Sequence, residues 1–260
     1  MDRLTILKIG GNVVDNPQLL DRLLNDFVRI TGYKILIHGG GKLATALANR
    51  LGVKTQMVDG RRITDEAMLE IVTMVYGGLV NKQIVAGLQA RNCNALGLTG
   101  VDLSLMHAQK RLPEEIDYGL VGDINSVNTR ELRMLLGESV VPVVAPLTHN
   151  GQGQILNTNA DTVASQLAID LALHFSVLLF YCFEKPGVLL NADDDSSIIT
   201  ELSPAKFEEL QQEGVINSGM IPKIQNGFNA LNKGVNQVII ANPEGFVKTR
   251  GTRLVQRKEN

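Results

Sequence analysis

Leu4-Thr5-Ile6-Leu7-Lys8-Ile9-Gly10-Gly11 and Lys34-Ile35-Leu36-Ile37-His38-Gly39-Gly40-Gly41 decide how this chain folds. Each is a short apolar run closed by glycines. A continuous run of this length reads as a buried strand, and the glycines read as the turn that ends it. Between the two, Asn16-Pro17 opens a stretch in which Leu19, Leu20, Leu23, Leu24 and Phe27 recur at helical spacing. Residues 42–51 are again helical in pattern. Strand, glycine turn, helix, strand is how a parallel α/β sheet begins.

The alternation continues outward. Thr64, Asp65 and Glu66 read as a helix start, followed by the apolar stripe Met68, Ile71, Val72, Val75 and Leu79. Residues 95–99 and 140–146 read as strands, with a helix over 130–136. The stretch 104–124 is the most irregular, a strand-like pair with a glycine turn. Asn150-Gly151 and Gly153 mark a hairpin into Ile155-Leu156. A helix over 161–173 leads to a buried strand over 177–183, stopped by Pro186-Gly187. Ser203 and Pro222 open two more helices, and 237–241 and 253–255 are the last strands. The expected class is α/β: a three-layer αβα sandwich around a mostly parallel sheet, with hairpins appended.

Composition narrows the function. The 260 residues are 44% hydrophobic and 20% charged, with a formal net charge of -2. That balance fits one globular domain, or two tightly joined lobes, and marks neither a nucleic-acid nor a membrane partner. The longest apolar run, 177–183, is far short of the roughly 20 residues of a membrane-spanning helix. The N-terminus has no secretory pattern, and the two cysteines, Cys93 and Cys182, have no framework spacing. A reducing, cytoplasmic setting is expected.

The two glycine turns are the first candidates for chemistry. Ligands gather at the carboxyl ends of strands in such sheets, and glycine lets backbone N–H groups approach anionic oxygens. The plainer alternative is two tight turns without a ligand. Neither a G-x-x-x-x-G-K-[ST] loop nor a G-x-G-x-x-G turn is present, and no metal-ligand spacing appears. His38 could be a general base or a structural turn histidine. Asn157-Thr158-Asn159-Ala160-Asp161 could be a binding loop or simply a helix cap. Arg61-Arg62-Ile63-Thr64 and Gly219-Met220-Ile221-Pro222-Lys223 each place cations before or at a helix start. At Lys223 a cation opposes the helix dipole, which disfavours a random surface lysine.

K-x-G-G, H-G-G-G, G-x-R-x-T, N-x-N-A-D and G-M-x-x-K follow one another across nearly the whole chain. Each is weak alone; the ordered set resembles the amino acid kinase family. Gly60-Arg61-Arg62-Ile63-Thr64 is similar to the branch that acts on N-acylglutamate in arginine biosynthesis. The resemblance implies one open, mainly parallel eight-stranded sheet. It divides residues 1–260 into an N-lobe, 1–172, with the acyl substrate and dimer contacts, and a C-lobe, 173–260, with the nucleotide. It implies ATP-dependent phosphorylation, with Mg²⁺, of the γ-carboxylate of N-acetyl-L-glutamate. Lys8 and Lys223 would neutralise the phosphoryl group, and Asp161 would hold both. Gly10 and Gly11 would donate N–H groups to phosphate, and Gly40 and Gly41 to the acyl substrate. Arg62 would take the α-carboxylate and Asn157 the amide region. Glu184, Lys185, Gly187 and Asn217 would lie at the nucleotide. A carbamate, aspartate or phosphate-ester kinase of the same fold, and a non-catalytic sensor, remain as alternatives.

Two departures qualify the resemblance. Phe183-Glu184-Lys185-Pro186-Gly187 lacks the small hydroxyl residue and Asp usual after the C-lobe strand, so most nucleotide contacts are expected from the backbone of 183–189 and 215–217. The stretch 241–251 looks short. Lys42 and Arg61 stand where the family commonly has neutral residues, and could pair the second carboxylate of an N-succinyl substrate. A homodimer is expected, with the Met68–Leu79 stripe as one candidate contact and core packing as the other. Inhibition by arginine is not expected, because only Met1-Asp2-Arg3 precede the first strand.

Overall fold

The structure is a computed structural model and describes residues 1–58, 61–113, 115–216, 219–248 and 250–256. Its strands, in chain order, are β1 (Arg3–Ile9), β2 (Tyr33–His38), β3 (Met57–Val58), β4 (Arg61–Arg62), β5 (Ala95–Leu98), β6 (Met106–Lys110), β7 (Gly122–Val127), β8 (Val141–Val144), β9 (Leu147–His149), β10 (Ile155–Asn157), β11 (Ser176–Cys182), β12 (Glu201–Leu202), β13 (Gln237–Ala241) and β14 (Thr252–Leu254). Eight form one sheet in the order β12-β14-β13-β11-β1-β2-β8-β5. All its neighbours run parallel except β13 and β14. This is the open, mainly parallel eight-stranded sheet expected.

β1 lies between β11 and β2, and its residues from Leu4 onward are buried. Being covered on both faces, it reads as one apolar run rather than an alternation. Its side chains still alternate: Leu4 and Ile6 enter one core, Leu7 and Ile9 the other. Lys8 therefore shares a face with Leu4 and Ile6. Ile9 is level with His38 on one side and Cys182 on the other, so the three central strands end together.

The helices are α1 (Gly11–Val14), α2 (Pro17–Val28), α3 (Gly41–Arg50), α4 (Glu66–Val72), α5 (Asn81–Gln89), α6 (Thr129–Gly137), α7 (Ala160–Leu171), α8 (Pro204–Gln212), α9 (Ile221–Asn232) and α10 (Pro243–Lys248). Asn16, Asp65 and Ser203 cap their helices by accepting from the amides of Leu19, Met68 and Lys206. α6, α7 and α9 pack on the Leu4–Ile6 side, and α2 to α5 with α10 on the other. A second sheet, β10-β9-β6-β7, carries the β9–β10 hairpin and the strand pair of the irregular stretch.

Three elements differ from expectation. Residues 140–146 are not one strand: β8 stops at Val144 and the chain turns through Ala145-Pro146 into β9. The stripe helix does not stop near Leu79. Thr73–Val80 is a π-helical segment that joins α4 to α5, giving a continuous helix of 24 residues that is long and apolar enough to cross a membrane. Here it is a core helix, with Met68, Ile71, Val72 and Val75 buried. The stripe proposed as a dimer contact is thus core, except Leu79, which is half exposed. Finally, the short stretch 241–251 holds α10, with Pro243 at its first position.

Candidate active site

Because Lys8 shares the face of Leu4 and Ile6, it points toward α7. Its Nζ lies 2.6 Å from Asp161 Oδ1. The cap of α7 is Asn159, whose side chain accepts from the amides of Asp161 at 2.8 Å and Thr162 at 3.2 Å. The Asp161 carboxylate is therefore free of capping and available to cations. α9 packs on α7, with Ser165 Oγ donating to the Asn226 carbonyl at 3.0 Å. That contact brings Lys223, two residues into α9, to 3.0 Å from Asp161 Oδ2.

Lys8 and Asp161 are buried, while Lys223 reaches solvent. Burial pushes the Lys8 ammonium below its ordinary pKa, against the pull of Asp161. Burial would raise the Asp161 carboxyl, but Lys8 and Lys223 outweigh it and hold it at about 2. Two ammonium groups against one carboxylate leave a net positive charge at the strand ends. Such a constellation attracts and neutralises an anion.

The glycine turns lie beside it. A Cβ on Gly39 would approach the Gly11 amide at 3.8 Å, so the two turns are neighbours. The Gly10 amide donates to the Cys182 carbonyl at 3.0 Å. That corrects its expected role as a phosphate donor: it extends the β1–β11 ladder. Gly40 must be glycine, because a Cβ there would meet Tyr76 Cδ1 at 2.9 Å. Arg62 is buried and held on α3, its Nη2 donating to the Gly41 carbonyl and Thr45 Oγ1, both at 2.8 Å. Asn157 donates to Thr64 Oγ1 at 2.9 Å.

Beside these groups lie two spaces that share Gly41, Met57 and Arg62 in their linings. A cleft of about 830 Å³ runs from Lys8, Gly11 and Lys223 past Glu184, Lys185 and Gly187 to Val215. A pocket of about 170 Å³ lies under the second turn, lined by Gly40, Gly41, Arg61, Arg62, Arg111 and Asn157, among others. Lys42 lines the larger cleft and acts on the buried Asp15 carboxyl, which burial raises and Lys42 lowers. It does not line the smaller pocket, so its expected place at the acyl end is corrected. Arg111 was missed by sequence reasoning. It lies just past β6 in the irregular stretch, bonds Asp123 through Nε at 3.1 Å to each oxygen, and stacks over Tyr118.

At the far end, Glu184 accepts from the Asn12 side chain across the cleft. Lys185 donates to the Ala192 carbonyl and Asp195, both at 3.1 Å. A Cβ on Gly187 would strike Ile198 at 2.7 Å and Thr252 at 2.8 Å. Asn217 lies outside the described residues. His38 does not line either space: its Nδ1 is 2.8 Å from the Gly39 carbonyl and burial lowers its pKa to about 4. It is a turn histidine.

The family model described as the amino acid kinase family matches residues 3–242. The chain belongs to the amino acid kinase family. It is 55% identical over 262 residues to the acetylglutamate kinase of Cytophaga hutchinsonii, covering 98% of this chain and 99% of that one. It is 53% identical to the acetylglutamate kinase of Parabacteroides distasonis over 254 residues, 98% of this chain and all of the other. Among solved structures, N-acetylglutamate synthase from Neisseria gonorrhoeae superposes with a TM-score of 0.84 at 22% identity, over 98% of this chain and 60% of that one. At that identity the likeness is one of fold. This amino acid kinase thus carries the eight-stranded sheet of its family with the charged triad at its centre.

Proposed function

We propose that this amino acid kinase transfers the γ-phosphoryl group of ATP to the γ-carboxylate of N-acetyl-L-glutamate, giving an acyl phosphate and ADP, as a step of arginine biosynthesis. The observation that carries the proposal is the Lys8–Asp161–Lys223 constellation, whose two lysines line the larger cleft. A carboxylate oxygen attacks phosphorus as the bond to the ADP oxygen breaks. The substrate carboxylate is already ionised near neutral pH, so no general base is needed, in keeping with a neutral His38 outside the cleft. Phosphoryl transfer asks for positioning and charge neutralisation. Lys8 serves the transferred group and Lys223 the leaving side, while Asp161 keeps both in register.

The smaller pocket suits the amino acid: Arg62 for the α-carboxylate through its planar fork, the Gly40–Gly41 turn and Asn157 for the acylamino end. The larger cleft suits ATP along 183–189. In this proposal the 1–172 lobe lines the smaller pocket, while the larger cleft is lined from both the 1–172 and the 173–260 lobes. Among the described residues no group of three or more His, Cys, Asp or Glu could hold a metal ion. Mg²⁺ would supply charge to the nucleotide phosphates and come ligated by them and by water. A cytoplasmic site of action belongs to the same proposal, with Cys93 and Cys182 free and buried.

One observation favours a second acyl group. Arg61 and Arg111 both line the smaller pocket and a neighbouring space of about 540 Å³. A dicarboxylic acyl chain such as succinyl could end there. The test traps acyl phosphate with hydroxylamine, using ATP-Mg²⁺ and N-acetyl- or N-succinyl-L-glutamate. Product with either acylglutamate supports the kinase. If succinyl is the natural group, its kcat/KM exceeds that of acetyl by about tenfold, and Arg61→Leu narrows the gap. No product with either, and no nucleotide binding by calorimetry, would leave the sensor as the better account.

The proposed assembly is a homodimer. Met74 and Leu79 on the long helix, with Leu96 on edge strand β5, leave apolar side chains about half exposed or somewhat less. Light scattering is expected to give twice the chain mass, and Met74→Glu to give the single chain mass.

A further inference from the structure

The π-helical segment lies against the second glycine turn. Asn81, the residue that follows it, sends its backbone N–H to the Tyr76 carbonyl, five residues back. That bond stacks Tyr76 and Asn81 one turn apart on a single face. In an α-helix, five residues turn the side chains about 140° apart. Both face the glycine turn. The Tyr76 ring packs where a Gly40 Cβ would be. The Asn81 carboxamide is buried, 3.1 Å from His38 Nε2 and 2.9 Å from the Val143 carbonyl.

The donor roles follow from this geometry. Val143 O can only accept, so the Asn81 Nδ2 must face it. The second Nδ2 proton then points at His38 Nε2, which must accept. Lys82 Nζ, 3.2 Å from Asn81 Oδ1, keeps the carboxamide from flipping. The proton of His38 is left on Nδ1, where it donates to the Gly39 carbonyl at 2.8 Å. That bond fixes the Gly39–Gly40 peptide plane, and with it the direction of the Gly40 amide.

We propose that Asn81 and His38 are positioning residues that aim the Gly40–Gly41 amides at the acylated substrate, and that the π-helical turn exists to set Asn81 and Tyr76 together for this. The proposal rests on the acylglutamate kinase assignment. It places the origin of substrate orientation in a helix that lies behind the turn rather than in the cleft. The low His38 pKa supports it, since a neutral ring is needed for one nitrogen to accept and the other to donate.

The test uses His38→Leu, which removes the Nδ1 proton, and His38→Asn, which puts a carboxamide N–H near the same place. His38→Leu is expected to raise KM for the acylglutamate about tenfold or more, with KM for ATP within about twofold of wild type. His38→Asn is expected to recover most of that loss. Ring nitrogen NMR of the wild-type protein, which needs no variant to fold, is expected to show Nδ1 protonated and Nε2 bare. Equal losses toward both substrates, no recovery by His38→Asn, or a proton on Nε2 would each overturn the proposal. Should wild type form no acyl phosphate at all, it is the kinase assignment that fails, and the ring NMR still judges the dyad.

Discussion

Lys8→Ala is expected to lower turnover by about 10²–10³-fold while leaving the KM values within a few-fold of wild type, the pattern of a group that acts mainly in the transition state. Lys8 is buried and already held at 2.6 Å from Asp161, so its ammonium needs no reorganisation as charge moves onto the phosphoryl oxygens. Lys223→Ala is expected to fall in the same range, since it is the second cation on the same carboxylate. The two differ in stability. Lys223 is more exposed and its removal leaves the buried Lys8–Asp161 pair intact, so its melting temperature should stay close to wild type. Steady-state kinetics with the hydroxylamine trap, and thermal unfolding of each variant, check both statements. A variant with normal turnover and only a raised KM would count against a transition-state role.

Asp161→Asn is expected to have the second large effect. It leaves the Lys8 ammonium buried without a counter-charge and facing Lys223. Breaking one partner of a buried pair costs about 3–5 kcal/mol, which for a chain of this size lowers the melting temperature by roughly 10 °C. Turnover should fall at least as far as in Lys8→Ala, because both lysines lose their anchor. The pH dependence has a definite sign. Asp161 titrates at about 2 in the folded protein, below its ordinary 3.8. Its contribution is present in full above about pH 4 and is lost as pH falls toward 2. Wild type should therefore lose part of its advantage over Asp161→Asn across that window. A gap between the two that stays constant from pH 5 to pH 2 would contradict the assigned pairing.

Glycine, proline and apolar spacing placed Lys8, Gly11, Gly40, Asp161 and Lys223 at strand ends and helix starts, and the resemblance of the ordered motifs to the amino acid kinase family made them one candidate site. The face on which Lys8 points followed from period two along β1, once the strand was known to be buried on both sides. Asn159 as the cap of α7, which frees Asp161 for its two lysines, could not be told from Asn157 or Asp161 itself, since all three residue types cap helices. The Gly10 amide looked like a phosphate donor because nothing in Lys8-Ile9-Gly10-Gly11 says where the β1–β11 ladder stops.

Arg111, Lys42 and the π-helical turn lay beyond sequence. Arg111 reaches the smaller pocket only because the β6–β7 pair folds back under the second glycine turn, and its stretch has no periodicity to read. Lys42 stands one residue after a glycine turn, where a side chain could face either space; it lines the larger cleft and lowers the pKa of the Asp15 carboxyl. The run Thr73–Val80, with two central glycines, carries the same apolar pattern in α and π winding. Packing of Tyr76 against Gly40 and the bonds of Asn81 to His38 and Val143 select between them. The succession of strands and helices along the chain, the glycine turns and the charges at their ends were thus largely determined by local sequence, because they depend on which residues are apolar and how far apart they stand. The direction of each side chain beyond those turns was decided by tertiary contacts, because a turn leaves several rotamers close in energy and only a neighbour from a distant part of the chain can favour one.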